Sequence, residues 1–457
     1  MGNLPRKKRK AGDRPKAGAS SLARRREESI AERRREERER ARQRRSRRAG
    51  WRSRSGRKTR TTSKRKKAIG LAGYYAREAG RKPASPVRGS YIRSHTLVFP
   101  KVFSFIENPD GTLEFFETFI EKATARPKHL TFDQSKCEVV DFCAASLLNA
   151  LATDLRTERK VKFDGFLPQA PELAEIVRAT GLPKVVGLEY SGPEMNRHHS
   201  LRRGMKASER AKAKDINIQT TALAEYVDLC LQDLGFRLTD NEMANLAELV
   251  GEVIDNAERH SGREEWWIGG YLQRTSPDIS SCHIVIFNFG KTIAQSLQEL
   301  PPQSLLRDRI KALLDVHRPR FFKAQSKWTQ DNLWTLFAIQ EGVSRKNRST
   351  TLAKDVGQGT VDMVQYFQNF ADKDVGGAPV MCLISGRTHI RFDSRYPILP
   401  SDPTDPESYK IIAFNADNSL WEPPDDTAVR TLGRFFPGTL LSLKFSLSKD
   451  RLREVSL

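Results

Sequence analysis

The segment LTDNEMANLAELVGEVIDNAERHSG, residues 238–262, is the most informative part of the chain, because it combines a helical apolar stripe with a row of polar side chains. Thr239 and Glu242 fit a capping box at the start of a helix. Apolar residues then recur with the 3.6-residue period of an α-helix, and they are Met243, Leu246, Ala247, Val250, Ile254 and Ala257. This pattern predicts a helix with one face buried against a core.

Two polar side chains lie beside this stripe, one helical turn apart. Glu252 and Asn256 are four residues apart, so they project from the same helix face. An amide oxygen is a hard ligand suited to Mg²⁺, and a carboxylate can orient an attacking water. The alternative interpretation is an ordinary polar helix flank. His260 continues the row at the end of the helix, where a cation or a cap is favourable, so we interpret it as structural.

Three further segments carry glycine or polar residues at the ends of predicted elements. CHIVIFNFGKTI (282–293) reads as a buried strand that runs into a tight turn at Asn288-Phe289-Gly290. RKNRSTTLAKDVGQGTVDMVQYF (345–367) has Gly357-Gln358-Gly359 just before a helix that begins near Thr360. PGTLLSLKFSL (437–447) is a predicted strand that opens with Gly438-Thr439. Glycines let the backbone approach an anion, and a helix N-terminus favours phosphate.

In this order, the four segments resemble the GHKL superfamily of ATP-binding domains, which includes gyrase, heat-shock chaperone ATPases, histidine kinases and mismatch-repair ATPases. The resemblance covers about half of the chain. Thr292 stands where the G1 box, usually D-x-G-x-G, has a second glycine. The matched positions are Glu252 and Asn256 (N box), Asn288 and Gly290 (G1 box), Gly357, Gly359 and Thr360 (G2 box), and Thr439 (final threonine).

The resemblance implies a role for each matched residue. Asn256 would coordinate Mg²⁺, and Glu252 would be the general base for the hydrolytic water. Asn288 would contact adenine in place of the family aspartate, and a neutral acceptor is weaker by about 1 kcal/mol. The G2 glycines would cradle phosphates under a lid, where cations could neutralise charge; the candidates are Arg345, Lys346, Arg348 and Lys354.

A smaller region before this one alternates short strands and helices, which indicates an α/β domain. The sequence predicts strands at 95–100, 129–135 and 160–166, helices at 115–125, 144–158 and 171–181, and an extended stretch at 183–190. Residues 130–151, followed by KVKFDGFLPQAPELAEIVRATGL (160–182), resemble a STAS-type domain, as in anti-sigma-factor antagonists. Asp141-Phe142-Cys143-Ala144 stands where that family has D-S-S-G, so the phosphorylatable serine is absent. Because that serine is absent, we expect this domain to be a scaffold or to dock a partner. We expect Cys143 to be packed in the interior, as buried free cysteines usually are.

The sequence predicts the fold class α/β, and the resemblances imply an α+β sandwich of the GHKL (Bergerat) type preceded by the STAS-like domain and a disordered basic arm. The predicted divisions are the arm at 1–90, the STAS-like domain at 91–190, a linker at 191–215, and the ATP-binding domain at 216–450 with a helical insert at 297–344. His198 and His199 fall in the linker and have no activating neighbour in sequence.

Positive charge is concentrated at the N-terminus. Residues 1–67 contain 29 Lys and Arg against 7 Asp and Glu, whereas the rest of the chain is nearly neutral, with 50 against 49. Such a segment cannot bury enough apolar area to order itself, so we expect disorder. Phosphate contact through counterion release is the functional interpretation, with DNA and RNA both open. A solubilising tail is the alternative.

Composition also excludes several classes. The longest apolar stretches are far shorter than the roughly 20 residues of a bilayer-spanning helix, so we expect no membrane-spanning protein. The basic N-terminus is not followed by an apolar segment, so we do not interpret it as a secretory signal. The five cysteines form no CxxC pair, which favours a reducing compartment and argues against a disulfide scaffold or zinc site. By analogy with proteins that pair the two domain types, we expect a bacterial cytoplasmic protein.

Three functions are compatible with these features. The first is a Mg-ATP-dependent switch, an ATPase that dimerises with ATP and recruits a protein through the STAS-like domain and nucleic acid through the arm. The second is a protein kinase of the histidine-kinase or anti-sigma-factor type that phosphorylates a partner in trans. The third is a nucleotide sensor or scaffold without catalysis, which the missing G1 glycine favours and the retained Glu252 disfavours.

Overall fold

The computed structural model describes most of the chain after residue 70. Contacts divide the chain into two units, Met1–Ala68 and Ile69–Leu457, and all described residues belong to the second unit. They are 70–80, 95–125, 127–187, 198–205, 209–232, 235, 237–240, 243–244, 246–247, 250–251, 254, 265–276, 278–321, 328–343, 361, 364–365, 380–402, 404 and 408–448.

The first part of the second unit alternates helices with short strands. The helices are α1 (Leu71–Glu78), α2 (Pro109–Thr124), α3 (Phe142–Arg159), α4 (Pro171–Ala179) and α5 (Leu182–Val186), and the strands are β1 (His95–Val98), β2 (Val102–Phe103), β3 (His129–Asp133), β4 (Val139–Val140) and β5 (Lys162–Phe166). The side chain of Asn108 caps α2 and that of Asp141 caps α3, which fixes where these helices begin. The three predicted strands and three predicted helices of this region are confirmed, with shifted ends.

A parallel sheet forms in the order β1-β3-β5, and β2 pairs with β4 in a second, two-stranded sheet. α2 follows β1 and α3 follows β3 along the chain, so each of these helices connects two neighbouring parallel strands. Alternate strand residues are buried as this geometry requires, among them Leu97, Phe132 and Phe163.

The second part is built around an antiparallel sheet in the order β6-β7-β8-β12-β9. The strands are β6 (His198–Met205), β7 (Glu265–Arg274), β8 (Ile279–Phe289), β9 (Val380–Phe392) and β12 (Val429–Ser448), with β10 (Leu399–Pro400) and β11 (Lys410–Ile411) as a separate pair. The helices are α6 (Glu209–Gln232), α7 (Ile293–Gln298), α8 (Leu305–Phe321) and α9 (Gln330–Ala338).

One face of the five-stranded sheet packs against the helices of the first part. Tyr75 of α1 makes edge contacts with Phe289 and Phe436 at ring-centroid distances of 6.4 and 6.3 Å. Phe142 of α3 stacks on Tyr271 of β7 at 6.0 Å. Residues 71–186 and the sheet therefore share one continuous apolar core.

The opposite face of the sheet carries a second core, covered by helices. Tyr226 of α6 packs closely against Gly270 of β7, where an added Cβ would lie 2.6 Å from the tyrosine ring. The members from the sheet include Trp266, Ile268, Ile286, Met381 and Leu441, and those from covering segments include Leu223, Val227, Leu246, Val250, Ile254 and Val364.

The described residues between 297 and 343 are mostly helical, as predicted for the insert. α8 and α9 join α7 in a third apolar cluster that contains Trp328 and Trp334. His317 of α8 lies edge-on to Trp328 at 4.9 Å, and its Nε2 is 2.9 Å from the carbonyl oxygen of Leu420. These contacts give the insert a packing role.

Three expectations were wrong in detail. The predicted arm at 1–90 contains α1, because the short apolar run around Tyr75 finds a buried site. The stretch predicted as extended at 183–190 begins inside helix α5. The glycines that flank this helix, Gly181 and Gly187, have the left-handed backbone conformation. The predicted linker at 191–215 contains β6 and the start of α6.

At the level of class, the structure agrees with the prediction, since helices and sheets pack together throughout the described chain. The GHKL and STAS-like arrangements stay predictions. None of the helices in the described part has the length and apolar character needed to cross a membrane.

Candidate functional site

Three of the predicted site residues are described, namely Asn288, Gly290 and Thr439. The others lie outside the described residues: Glu252, Asn256, Lys354, Gly357, Gly359 and Thr360, together with Arg345, Lys346, Arg348 and His260. The geometry of the site is therefore built from the sheet and from the described neighbours of the other boxes.

Asn288 and Thr439 lie directly opposite each other on β8 and β12. Trp266 is opposite Asn288 on β7, and Ser385 is opposite Thr439 on β9. Directly opposed residues of antiparallel strands project to the same face, so these four side chains form one row across the sheet. The row lies on the face that α6 covers, with Asn288 and Ser385 buried and Thr439 half-buried.

Ser385 is the residue of this row that the sequence reasoning missed. Its Oγ lies 2.9 Å from Thr439 Oγ1, donates to the carbonyl oxygen of Gly438 at 3.2 Å, and accepts from the backbone N–H of Ile293 at 2.9 Å. It stands in an ordinary apolar strand, ISG, where no known motif marks it. Only strand register brings it to Thr439.

The backbone at the end of the row is fixed by two glycines. The N–H of Gly290 donates to the carbonyl oxygen of Pro437 at 3.0 Å, which ties the G1 turn to β12. Gly438 has a φ of +156°, and a Cβ there would lie 2.0 Å from the carbonyl oxygen of Asn288. β12 can therefore approach β8 at the candidate site only with glycine at position 438.

Thr292, the departure from the G1 pattern, has a structural role. It caps α7 through a capping box, in which its Oγ1 accepts from Gln295 N at 3.1 Å and its own N–H donates to Gln295 Oε1 at 2.9 Å. Gly386 approaches it closely, since a Cβ on that glycine would lie 3.0 Å from Thr292 Cγ2. A helix start thus replaces the second glycine of the family pattern.

The helix predicted at 238–262 covers the same face of the sheet. All its described positions from 240 to 254 are helical, and the backbone N–H of Met243 bonds the carbonyl oxygen of Thr239 at 2.9 Å. Leu246, Val250 and Ile254 are buried in the core that contains Trp266, which confirms the predicted stripe over these positions. Ile254 lies midway in sequence between Glu252 and Asn256.

The segment that follows the G2 glycines also reaches this core. The described positions at 361, 364 and 365 are helical, in agreement with a helix that begins near Thr360. Val361 and Val364 are buried, and Val364 belongs to the same core as Ile254. Gln365 Oε1 accepts from Lys410 Nζ at 2.9 Å.

The histidines of the predicted linker also have structural positions. His199 is buried in β6, and burial lowers the pKa of its ring to about 4, so it is neutral near pH 7. His198 is exposed on the same strand.

The turn that resembles the STAS phosphorylation site is buried. Asp141 accepts from the N–H of Phe105 at 2.5 Å and from that of Ala144 at 2.6 Å. Burial raises the pKa of its carboxyl group. Burial also raises the pKa of the Cys143 thiol, and this side chain is packed in the interior, as predicted.

Within the described chain, no group of three or more His, Cys, Asp and Glu side chains is arranged to hold a metal ion. The expected Mg²⁺ ligand, Asn256, lies outside that part.

Comparison with known proteins finds no match for this chain among protein families, curated proteins or solved structures.

Proposed function

We propose that this protein binds Mg-ATP on the face of the five-stranded sheet that α6 covers and hydrolyses it as a conformational switch. One observation carries the proposal. Described residues from the segments of the N, G1 and G2 boxes and from the final strand meet in one apolar core, although they are far apart in sequence; they are Ile254, Ile286, Val364 and Leu441. The resemblance to the GHKL superfamily implies that these four segments lie together around one nucleotide site.

The row of Asn288 and Thr439 supports recognition of a base. Asn288 and Thr439 are polar residues at one end of this face of the sheet, and the other strand residues on the face, including Ile286 and Leu441, are largely apolar. A nucleotide base needs this combination, because its rings are apolar and its edge carries donors and acceptors. Asn288 and Thr439 would bond that edge.

The remaining boxes would supply the chemistry of hydrolysis. Asn256 would hold Mg²⁺ through its amide oxygen, and Glu252, one turn earlier, would take the proton of the attacking water. Gly357 and Gly359 would let the backbone approach the phosphates, and Lys354 would neutralise their charge.

The other parts of the chain would connect the switch to partners. In this proposal the STAS-like region contacts a partner protein, residues 1–67 contact nucleic acid, ATP promotes a homodimer, and the protein acts in the bacterial cytoplasm. The charge of residues 1–67 supports the nucleic-acid contact.

The test follows the γ-phosphate of labelled ATP with Mg²⁺ and the full chain. We expect label to appear as free phosphate, and Glu252→Gln to lower the rate by about 100-fold or more, as for loss of a general base. Glu114→Gln, on the exposed side of α2, is the matched control and keeps the rate.

Two results would change the proposal. Label that becomes attached to protein would make the chain a kinase that acts on itself or on an added partner. No turnover in the wild-type chain would contradict the proposed hydrolysis.

A further inference from the structure

A short helix packs on the side of the sheet opposite the candidate site, at the same strand ends. Phe289 follows Asn288 on β8, so its side chain projects to the face that residues 71–186 cover. Tyr75 of α1 contacts the ring of Phe289 at 6.4 Å and that of Phe436 at 6.3 Å, and the two phenylalanine rings are 5.7 Å apart. One tyrosine ring therefore packs directly behind the candidate site.

The two phenylalanines flank the backbone bond that ties the G1 turn to the final strand. The N–H of Gly290 donates to the carbonyl oxygen of Pro437 at 3.0 Å. These two residues directly follow Phe289 and Phe436 in the chain. Protein interiors are densely packed, so a ring that leaves such a place creates a cavity that its neighbours fill only in part. Loss of the Tyr75 ring would therefore loosen the G1 turn and the adjoining part of β12.

The helix that carries Tyr75 depends on the rest of the fold for its stability. α1 has eight residues, and an isolated helix of this length is not stable in water. Gly70 offers no side chain to cap it, and the carboxylate of Asp154 on α3 accepts from the N–H groups of Leu71 and Ala72 instead. The hydroxyl group of Tyr75 is buried and has no hydrogen-bond partner among the described residues, which costs free energy in the docked state. α1 therefore forms only when it is docked, and its docking is opposed by this cost.

The chain joins the basic segment 1–67 directly to α1. The basic run KRKK at 64–67 is separated from the start of α1 by Ala68, Ile69 and Gly70. Positive charge near the N-terminus of a helix is unfavourable, because that end of the helix dipole is also positive. Phosphate groups bound to this run would neutralise its charge. A bound nucleic acid would therefore stabilise the docked helix.

We propose that α1 couples the basic segment to the nucleotide site, with Tyr75 as a positioning residue, so that nucleic acid bound to residues 1–67 strengthens Mg-ATP binding. Nucleic acid favours the docked state of α1 by neutralising charge. ATP favours the same state, because its site needs the G1 turn and the adjoining part of β12 in place. Such coupling is reciprocal, so ATP strengthens the binding of nucleic acid by the same factor. The inference rests on the proposed function and adds the element that connects its two ligands.

The test measures the affinity of the full chain for a ribose-labelled fluorescent ATP analogue in Mg²⁺, with and without a saturating mixed-sequence DNA duplex. We expect DNA to tighten binding by about fivefold or more, the lower end of typical coupling between sites. Analogue bound to the basic segment itself would be displaced by DNA, which changes the affinity in the opposite direction. A single-stranded RNA replaces the duplex in a second series, because both nucleic acids carry the same phosphate backbone.

Two variants of Tyr75 separate positioning from simple structural support. Tyr75→Phe keeps the ring and removes only the hydroxyl group, so it is expected to keep the effect of DNA. Tyr75→Ala removes the ring that contacts Phe289 and Phe436, so the effect falls to about twofold or less. Arg77→Gln changes an exposed side chain of the same helix and is the matched control, which keeps the effect. Thermal unfolding of each variant identifies any that fails to fold.

Hydrogen exchange of the wild-type chain tests the same element if Tyr75→Ala does not fold. We expect the amide groups of residues 71–78 to exchange more slowly when DNA or Mg-ATP is bound, because both ligands favour the docked helix. Exchange at 71–78 that is the same with and without each ligand overturns the inference.

The outcomes distinguish this inference from the proposed function. A wild-type chain that binds Mg-ATP with an affinity that neither nucleic acid strengthens overturns the coupling and leaves the nucleotide site in place. A folded Tyr75→Ala variant that keeps the full effect of DNA overturns the role of Tyr75. A folded wild-type chain that binds no ATP, with or without nucleic acid, overturns both the coupling and the proposed function.

Discussion

At the scale of single residues, the candidate site depends on backbone positions as much as on side chains. Gly438 brings β12 against β8 at Asn288, and Gly386 brings β9 against the cap residue Thr292. Larger residues at these two positions would push the strands apart, so Asn288, Thr439 and Ser385 could not lie side by side. Polar side chains are few and buried here, so small displacements would separate them from a ligand.

Gly438→Ala is expected to destabilise the fold by more than about 2 kcal/mol, because the new Cβ overlaps the backbone of Asn288 and the φ is unfavourable. Gly433→Ala is the matched control on the same strand. Its new Cβ would meet only Asp110 Oδ1 at 3.4 Å, so a change within about 0.5 kcal/mol is expected. Denaturant unfolding measures both, and equal losses would contradict the account of Gly438.

Buried histidines make stability depend on pH. Burial lowers the pKa of His199 to about 4 and those of His283 and His389 to about 3, from an ordinary value of 6.5. Between these values the unfolded chain binds more protons than the folded chain, so stability rises with pH. The stability that depends on keeping these rings neutral is fully present above pH 6.5 and is lost progressively as the pH falls towards 3.

We therefore expect the denaturant midpoint to fall when the pH is lowered from about 7 to about 5, and His283→Gln to reduce this dependence. The variant removes one neutral buried ring and keeps a group able to bond Ser281, whose Oγ is 3.3 Å from His283 Nε2. A midpoint that is constant over this range would show that these rings are not held neutral by the fold.

At the scale of elements, β12 is the strand that joins the two parts of the molecule. Its pairing with β9 is interrupted between Thr431 and Thr439, and the intervening residues contact α2. Arg434 pairs with Glu117 at 2.9 Å and with Glu114 at 3.2 Å, while the N–H of Gly433 donates to Asp110 at 2.7 Å. The interruption lies beside the candidate site.

A double-mutant cycle of Arg434→Met and Glu117→Gln is expected to give a coupling free energy of about 1 kcal/mol, since Glu117 is buried and Arg434 is partly screened by solvent. Thermal or denaturant unfolding measures it. The exposed pair Arg318 and Asp315 serves as control, with coupling below about 0.5 kcal/mol. Equal coupling in both pairs would contradict a specific contact between β12 and α2.

At the scale of the whole molecule, the five-stranded sheet is covered on both faces within one chain. Residues 71–186 provide one cover and share a core with Trp267, Phe287 and Phe289 of the sheet. Without that cover, large aromatic side chains would be exposed to water. Burial of this size dominates the free energy of folding.

A chain that begins at Ile69 is expected to unfold in one cooperative transition with the midpoint of the full chain, because Met1–Ala68 forms a separate unit. A chain that begins at residue 191 is expected to aggregate or to lack a cooperative transition, since it exposes the aromatic face. Calorimetry of the purified fragments measures both. A well-folded fragment from residue 191 would contradict the shared core.

Periodicity in the sequence predicted the main strands and helices before residue 187 and the buried face of the helix at 238–262. The βα alternation before residue 187 is confirmed, and so is burial of Leu246, Val250 and Ile254. Local patterns could not reveal that both regions share a core, because that depends on packing between distant segments. The same limit hid β6, whose charged edge-strand sequence resembles a linker.

The candidate site shows the same division. Motif spacing identified Asn288 and Thr439, and strand register then placed them side by side. Ser385 has no motif, so only the three-dimensional pairing of β9 with β12 could identify it. The roles of Glu252 and Asn256 stay predictions from the resemblance.

Calorimetric titration of the full chain with Mg-ATP tests the proposed nucleotide site at equilibrium. We predict saturable binding of one ATP per chain that depends on Mg²⁺ and weakens by about tenfold or more in Asn288→Ala and in Asn256→Ala. Asn149→Ala, which removes a bond to the carbonyl oxygen of Thr180 in the first part of the fold, is the matched control and keeps the affinity. A folded wild-type chain that shows no heat of binding at millimolar ATP would contradict the account.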